Sequence, residues 1–355
     1  FSAVRKRVLS AMKEDRVVSL RSYRYLPMAH VRVENMAALG ELLEDSDVIG
    51  VYPNEQHTTS LGESLPIIGQ PDTGLEGLGV TVAVLDTGVD LTLPAFGSCI
   101  APGVPASCRV VYAEDFAPDD GSLDASGHGT FVAGIVSGVA PGAKIVALDV
   151  FDGSTTWASD IIAAIDWAIA NKSNYNIAAI NMSLGDGLPN FNECPFSWAA
   201  AAFSNARAAG ILPIVSSGNE GFPNAISSPA CAPGAISVGA VYDDYLGSVD
   251  WSSCTDASTA PDGVTCFSNS AHFLSLFAPG ALIDAAGYSG GGTSASAPHV
   301  SGGVAVLRDA FPEDTAQQIL DRMIKTGALV TDANNQGELP DITKPRLDLA
   351  AAVAI

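Results

Sequence analysis

The chain has 355 residues, 47% hydrophobic and 16% charged, a globular composition with room for a large core. Its formal charge of −22 disfavours nucleic acid as a partner, and no apolar run approaches the roughly 18 residues of a membrane span. The first 61 residues hold eight basic and eight acidic side chains, so the whole excess lies beyond them, on a surface suited to a secreted or salt-exposed protein.

The chain opens at Phe1 without a signal-like apolar region, so any export signal is expected to have been removed or to lie upstream. Residues 3–14 place Val4, Val8, Leu9 and Met12 on one helical face. "RVVSLRSYRYL" and "MAHVRV" read as strands, "NMAALGELLED" as a helix and "VIGVY" as a strand. Together they make most of a small α+β, ferredoxin-like unit that lacks its first strand. Residues 56–79, rich in Thr, Ser, Pro and Gly, read as a linker.

From residue 80 the pattern changes. The apolar runs "VTVAVLD", "RVVYA", "AKIVALDVF", "NIAAINMSL", "GILPIVSSG" and "AISVGAV" alternate with Ala-rich helical stretches at 127–138, 158–171 and 196–209. Continuous apolar strands separated by helices predict an α/β fold, a doubly wound and mostly parallel sheet with helices on both faces. Sites in such sheets form beyond the carboxyl ends of the strands.

Six cysteines, Cys99, Cys108, Cys194, Cys231, Cys254 and Cys266, form no C-x-x-C pair, which weakens zinc and redox readings. Cys99–Cys108 and Cys254–Cys266 each bracket a short loop, leaving Cys194–Cys231. Sequential pairing in an oxidising compartment is the expectation, with free buried thiols as the alternative.

"GGGTSASAPHVSGG", residues 290–303, sets Ser294 between a glycine run and an apolar helical segment. Such a serine is either an N-cap or a nucleophile. Five histidines could serve it as base. His30 and His57 belong to the leading segment and its linker, His272 to a loop, and His299 to the helix of Ser294 itself. His128 remains, in "SGHGTFVAGIV", where a polar loop feeds a helix. Asp86 closes the buried strand "VTVAVLD", where a carboxylate costs several kcal/mol unless something pairs with it. Asn219 follows a strand in "VSSGNEG". "GYSGG", residues 287–291, matches a lipase-type nucleophile elbow at Ser289. That fold needs an acid and then a histidine downstream, and here only His299 follows, so a lipase-type hydrolase is rejected.

The order Asp86, His128, Ser294 is instead that of subtilisin. "VAVLDTGVD", "GHGTFVAGIV", "INMSLGDG", "SSGNEG" and "GGTSASAPHVSGG" resemble the ordered motifs of subtilisin-like serine proteases, and "PRLDLAAAVA" resembles the family's closing segment. The leading unit resembles the family's inhibitory pro-domain. The resemblance implies a pro-domain at 1–61, a linker and mature N terminus at 62–79, and a catalytic domain at 80–355. It implies Ser294 as nucleophile, His128 as general base, Asp86 as its orienter and Asn219 as oxyanion donor. It also implies an extended substrate between Ser154, Thr155 and Thr156 on one side and Ser183, Leu184 and Gly185 on the other. Ser216, Ser217, Gly218 and the Ile226–Ser227 stretch shape the first pocket for apolar side chains, and Glu220 adds tolerance for a basic one. Aligned with the family, Leu61 falls where the pro-domain's terminal residue fills that pocket, which predicts self-cleavage after Leu61.

Two departures stand out. The family's calcium loop normally interrupts the helix of the catalytic histidine, yet "VAGIVSGVAPGAKI" runs straight into the next strand. That site is therefore expected to be deleted, leaving Asp119–Asp120 and Asp243–Asp244 as candidates for structural calcium, with solvated acidic loops as the plainer reading. Ala295 stands where many relatives carry Met, so resistance to peroxide is expected. No cofactor is expected for catalysis. The favoured reading is a monomeric, secreted endopeptidase made as a zymogen, with protein substrates and its own pro-domain as inhibitor. A proprotein-convertase-like processing protease and an idle binding protein on the same fold are the alternatives.

Overall fold

A computed structural model describes residues 2–11, 16–22, 29–51, 61–118, 120–334 and 341–355, which fall into two compact units, Phe1–Thr58 and Thr59–Ile355. In the leading unit, helix α1 (Ser2–Ala11) precedes an antiparallel pair, β1 (Val17–Ser22) and β2 (Ala29–Val33), and helix α2 (Met36–Glu44). Asn35 caps α2 by accepting from Ala38 N at 2.9 Å. Among the described residues, Val8, Val17, Ala38 and Leu42 form its buried core. "VIGVY" was expected as a strand, but residues 48–51 are irregular and Tyr52 lies outside the described residues. Among the described residues, strands β1 and β2 pair only with each other.

The second unit starts upstream of the expected boundary. Residues 62–79, read as linker and mature N terminus, form two short helices, α3 (Ser64–Ile67) and α4 (Gln70–Thr73), that belong to the large unit. The apolar content of the stretch explains this: Ile68 is fully buried, and its carbonyl accepts from Leu349 N at 2.7 Å.

The elements that follow are β3 (Thr81–Asp86), β4 (Val110–Asp115), α5 (His128–Val139), β5 (Lys144–Asp149), the hairpin β6 (Phe151–Asp152) and β7 (Thr155–Thr156), α6 (Ala158–Ala170) and α7 (Lys172–Tyr175). Then come β8 (Ile177–Met182), α8 (Ala199–Ala208), β9 (Leu212–Ser216), β10 (Ile236–Val241), the pair β11 (Val249–Asp250) and β12 (Thr255–Asp256), and β13 (Leu276–Pro279). Hairpin β14 (Ile283–Ala285) and β15 (Tyr288–Gly290) leads into α9 (Thr293–Ala310), followed by α10 (Ala316–Thr326), β16 (Ala328–Asp332), β17 (Ile342–Arg346) and α11 (Leu349–Val353).

Nine strands form one sheet in the order β16-β17-β13-β10-β9-β8-β3-β5-β4, parallel except for the edge pair β16–β17. The alternation within β3 divides the core. Val82 and Val84 pack with Val132, Val136, Val300 and Val304 of α5 and α9, whereas Ala83 and Leu85 pack with Ile161, Ile165 and Phe203 of α6 and α8. The strand order turns back at β3, which has β5 on one side and β8 on the other. The crevice beyond the carboxyl ends of those strands is where this topology places a site.

The cysteines pair as Cys99–Cys108, Cys194–Cys231 and Cys254–Cys266.

Candidate active site

Strand β3 delivers Asp86 to that crevice, 1% exposed, at the end of six buried residues. Its Oδ1 accepts from Thr87 N at 2.9 Å and lies 2.6 Å from His128 Nδ1. An ionised carboxylate can only accept, so the ring proton sits on Nδ1 and Nε2 is left as the basic nitrogen. His128 opens α5 with its side chain 38% exposed. The next residue must be small. A Cβ on Gly129 would fall 2.1 Å from Gly88 O and 3.1 Å from Asp86 Cβ, so only glycine lets α5 come this close to β3. The Asp86 charge raises the His128 pKa above its usual 6.5 against the opposing effect of burial, and the hydrogen bond and the Asp124 charge act in the same sense.

The second helix end, α9, follows Gly292, whose φ of 145° suits glycine alone. Thr293 N and Thr293 Oγ1 both donate to Asn219 Oδ1, at 2.8 and 2.9 Å. With its carbonyl so held, the Asn219 amide nitrogen lies on the Gly292 side. Ser294 Oγ donates to Ser183 O at 3.3 Å, and no hydrogen bond joins it to His128. Catalytic contacts of this kind are often long until substrate is bound. A buried polar chain fixes the helix end: Ser301 Oγ donates to Asn181 Oδ1, Asn181 Nδ2 to Ser183 Oγ, and Ser183 Oγ to Ser294 O at 2.8 Å.

Beside it the segments around Gly185, Ser216 and Ser227 are bonded together. Gly185 faces Ser227, to whose Cβ a side chain on Gly185 would come within 3.4 Å. Ser216 Oγ donates to Leu184 O, Ser217 Oγ to Asn269 O, and Gly218 N to Thr293 Oγ1. Glu220 Oε2 accepts from Asn269 Nδ2 at 2.6 Å and from Ser227 Oγ at 3.1 Å. Asn269, Thr293 and Asn181 escaped the reading of the sequence. Thr293 and Asn181 stood inside quoted motifs without a role, and Asn269 sat in a polar run with no signal at all.

Other expectations meet the structure differently. Ser154 lies in the turn of the β6–β7 hairpin, and Thr155 and Thr156 form β7 itself, paired with Asp152 and Phe151. Leu61 is not in the first pocket. It is 8% exposed within the core cluster of the large unit, against Gly138, ten residues along α5 from His128 and so about 15 Å away. Its apolar side chain is better buried against that helix than left in an open crevice. Ser289 sits within strand β15, opposite Asp284 and donating to its carboxylate, rather than at the turn that enters α9. His299 is fully buried, with Nδ1 against Ala295 O at 2.8 Å and Nε2 against Ser64 Oγ at 3.0 Å, and burial pushes its pKa down to about 4. Ala295 is fully buried.

Helix α5 runs unbroken to Val139, and β5 begins at Lys144. The residues there do not fit the family's usual calcium loop, and no group of three or more His, Cys, Asp or Glu gathers to hold a metal among the described residues. Asp119 lies outside them, and burial pushes the Asp243 carboxyl up to about 6.

Residues 77–341 match the model of the subtilase family of peptidases. An extracellular serine proteinase of Thermus sp. (strain Rt41A) is 31% identical over 74% of this chain and 58% of its own length. A subtilisin-like protease of Coccidioides posadasii (strain C735) is 32% identical over 72% of this chain and 59% of its own. The chain thus spans less than two thirds of the length of these curated relatives. Among solved structures, a cold-adapted subtilisin-like serine proteinase superposes with a TM-score of 0.60 at 28% identity, covering 77% of this chain and 90% of that one. Sphericase gives 0.53 at 25% identity, covering 71% and 84%. The chain belongs to the subtilase family.

Proposed function

We propose that the chain is a secreted serine endopeptidase, made as a zymogen and acting through Asp86, His128 and Ser294. The observation that carries this reading is the 2.6 Å contact of buried Asp86 with His128 Nδ1. It leaves Nε2 basic at the sheet edge where α9 presents Ser294. In the reaction, His128 Nε2 takes the Ser294 proton as Oγ attacks the peptide carbonyl. The resulting oxyanion is met by Asn219 Nδ2 and the Ser294 N–H, at a helix start where negative charge is favoured. The intermediate collapses as His128 returns the proton to the leaving amine. Water, activated by the same nitrogen, then frees the acyl group from Ser294. No cofactor enters these steps.

Substrate lies extended between the Ser154–Thr156 stretch and Ser183–Gly185. Its first side chain enters among Ser216, Ser217, Gly218 and Ser227. That pocket accepts apolar groups broadly, and Glu220 admits a basic one. The favoured partners are protein substrates and the leading unit as inhibitor, with the chain acting as a monomer. Three disulfides and extracellular relatives support secretion. Self-cleavage is placed after Leu61, give or take about three residues, close to the division between the two compact units. Structural calcium remains an expectation at the acidic loops alone.

The processing-protease alternative draws on one feature, the Glu220 carboxylate held by neutral Asn269 and Ser227 and able to receive a cation. An idle binding protein has no need of the intact Asp86, His128, Asn219 and Ser294. Profiling a peptide library with the wild-type chain and Ser294→Ala tests the reading. Broad cleavage by the wild type alone supports it. Cleavage confined to basic sites selects the processing protease, and equal cleavage by both chains refutes the proposal.

A further inference from the structure

Asp124, four residues before His128, accepts five hydrogen bonds. Its Oδ1 accepts from Gly127 N at 2.8 Å, Ser126 N at 3.1 Å and Thr87 Oγ1 at 3.0 Å. Its Oδ2 accepts from Thr130 N at 2.8 Å and Thr130 Oγ1 at 2.5 Å. Four of these donors belong to the entry and first turn of α5, the ordinary work of a helix-capping carboxylate. The fifth does not. Thr87 follows Asp86 on the exit of β3, and its backbone N–H donates to the Asp86 oxygen that holds His128. Thr87 Oγ1 also accepts from Gly129 N at 3.0 Å, and the bridge Gly88↔Asp124 closes the same turn. The elements that carry Asp86 and His128 are thus joined by a small network, Thr87 with Asp124, Ser126 and Gly129 and Asp90 N with Thr130 Oγ1, in which Asp124 is the charged member.

We propose that Asp124 is a positioning residue, tying the β3 exit to the first turn of α5 and so setting the geometry of the Asp86–His128 pair. This rests on the protease reading for its effect on turnover, but not for its effect on His128. The donor set calls for a carboxylate. All five partners are N–H or O–H groups divided between the two oxygens, and an amide in its place would turn an NH₂ toward either Thr130 or the other three donors. The Asp124 charge also adds to that of Asp86 in favouring the protonated imidazole of His128. Asp124 also faces Asp149, whose carboxyl is pushed up to about 6, mainly by burial, with Asp115 and Asp120 as its further charged neighbours. A shift in an activity profile alone could therefore come from Asp149, so His128 must be read directly.

The test uses the whole chain in two backgrounds. In Ser294→Ala, which cannot digest itself, NMR follows the His128 ring through a pH titration with and without Asp124→Asn. The account expects the midpoint to fall by at least about half a pH unit, because a nearby negative charge is gone. An unchanged midpoint overturns it and leaves Asp124 a plain helix cap. In the active chain, Asp124→Asn is expected to lower kcat roughly 10- to 100-fold with KM within about twofold, the cost of a small misplacement of a catalytic group. Thr87→Val, which keeps the Asp124 charge but removes the tie to Asp124 together with the acceptor of Gly129 N, is expected to lose about tenfold in kcat, and Thr87→Ser to restore it. Wild-type kcat in Thr87→Val overturns the positioning role. If Asp124→Asn does not fold, the Thr87 pair carries the test. Inactivity of the wild-type chain would refute the protease reading instead, and the NMR titration would still decide for or against Asp124.

Discussion

Helices α5 and α9 both start at the carboxyl edge of the sheet, and their first turns are treated in opposite ways. The start of α5 is filled by the protein's own carboxylate, with Asp124 taking Gly127 N and Thr130 N. The start of α9 is closed only in part. Thr293 N is taken by Asn219 and Ala295 N by Gly292 O, while no hydrogen bond from Ser294 N is found among the described residues. A helix start attracts negative charge whatever its source. On the proposed mechanism, supplying that charge internally makes a rigid mount for the base, and withholding it leaves a place for charge that develops during reaction. The same local device therefore serves two purposes, decided by one residue before each helix, Asp124 or Gly292.

The contrast breaks most sharply at the two reacting side chains. Ser294→Ala or His128→Ala should each lower kcat by on the order of 10⁶, because members of such a unit fail together. Full activity in either variant would break the assignment. In the wild type the acid limb of kcat/KM should lie above pH 6.5, since Asp86 raises the His128 pKa and turnover needs the neutral ring. A limb below pH 6 would contradict that coupling.

The open end of α9 is probed next by Asn219→Ala, expected to cost about 10²–10³ in kcat with KM little changed, since its amide meets charge only in the transition state. A change confined to KM would make Asn219 a substrate contact instead. Farther along α9, His299 links the helix to Ser64, and its pKa in the folded chain is about 4, below the usual 6.5. The unfolded chain binds the proton more readily, so this contribution to stability is complete above pH 6.5 and is lost as pH falls toward 4. It amounts to about 3 kcal/mol. Urea midpoints of the Ser294→Ala chain should fall across that window, and His299→Leu should flatten the fall. The smallest effect belongs to Thr293→Val. It removes one of two bonds to Asn219 Oδ1, worth about 1 kcal/mol or roughly fivefold in kcat, with the backbone bond keeping the amide in place.

Much of this was legible beforehand. Six strands and three helices of the catalytic unit could be read from apolar runs, because a parallel sheet buried on both faces leaves continuous hydrophobic stretches. Asp86 was conspicuous as a carboxylate ending such a run, and the order of the motifs singled out His128 and Ser294. What stayed hidden depends on contacts distant in sequence. Asn269 binds Glu220 across 49 residues, and Thr87 is tied to Asp124 across 37, with no periodicity to mark either pair. The two short helices within 62–79 carry little sequence signal for a related reason. The Ser, Pro and Gly of this stretch suggest a linker, while Leu61 and Ile68 find burial only against helices and carbonyls from far along the chain.

The central claim is that Ser294 is the nucleophile, activated by His128 and set beside an oxyanion site at the open end of α9. The most direct measurement is the intact mass of the chain after brief exposure to a serine-directed fluorophosphonate, for wild type, Ser294→Ala and His128→Ala. The account predicts one adduct on the wild-type chain, mapped to the peptide carrying Ser294, none on Ser294→Ala, and labelling slowed by orders of magnitude in His128→Ala. An unlabelled wild-type chain, or an adduct that persists in Ser294→Ala, would contradict it.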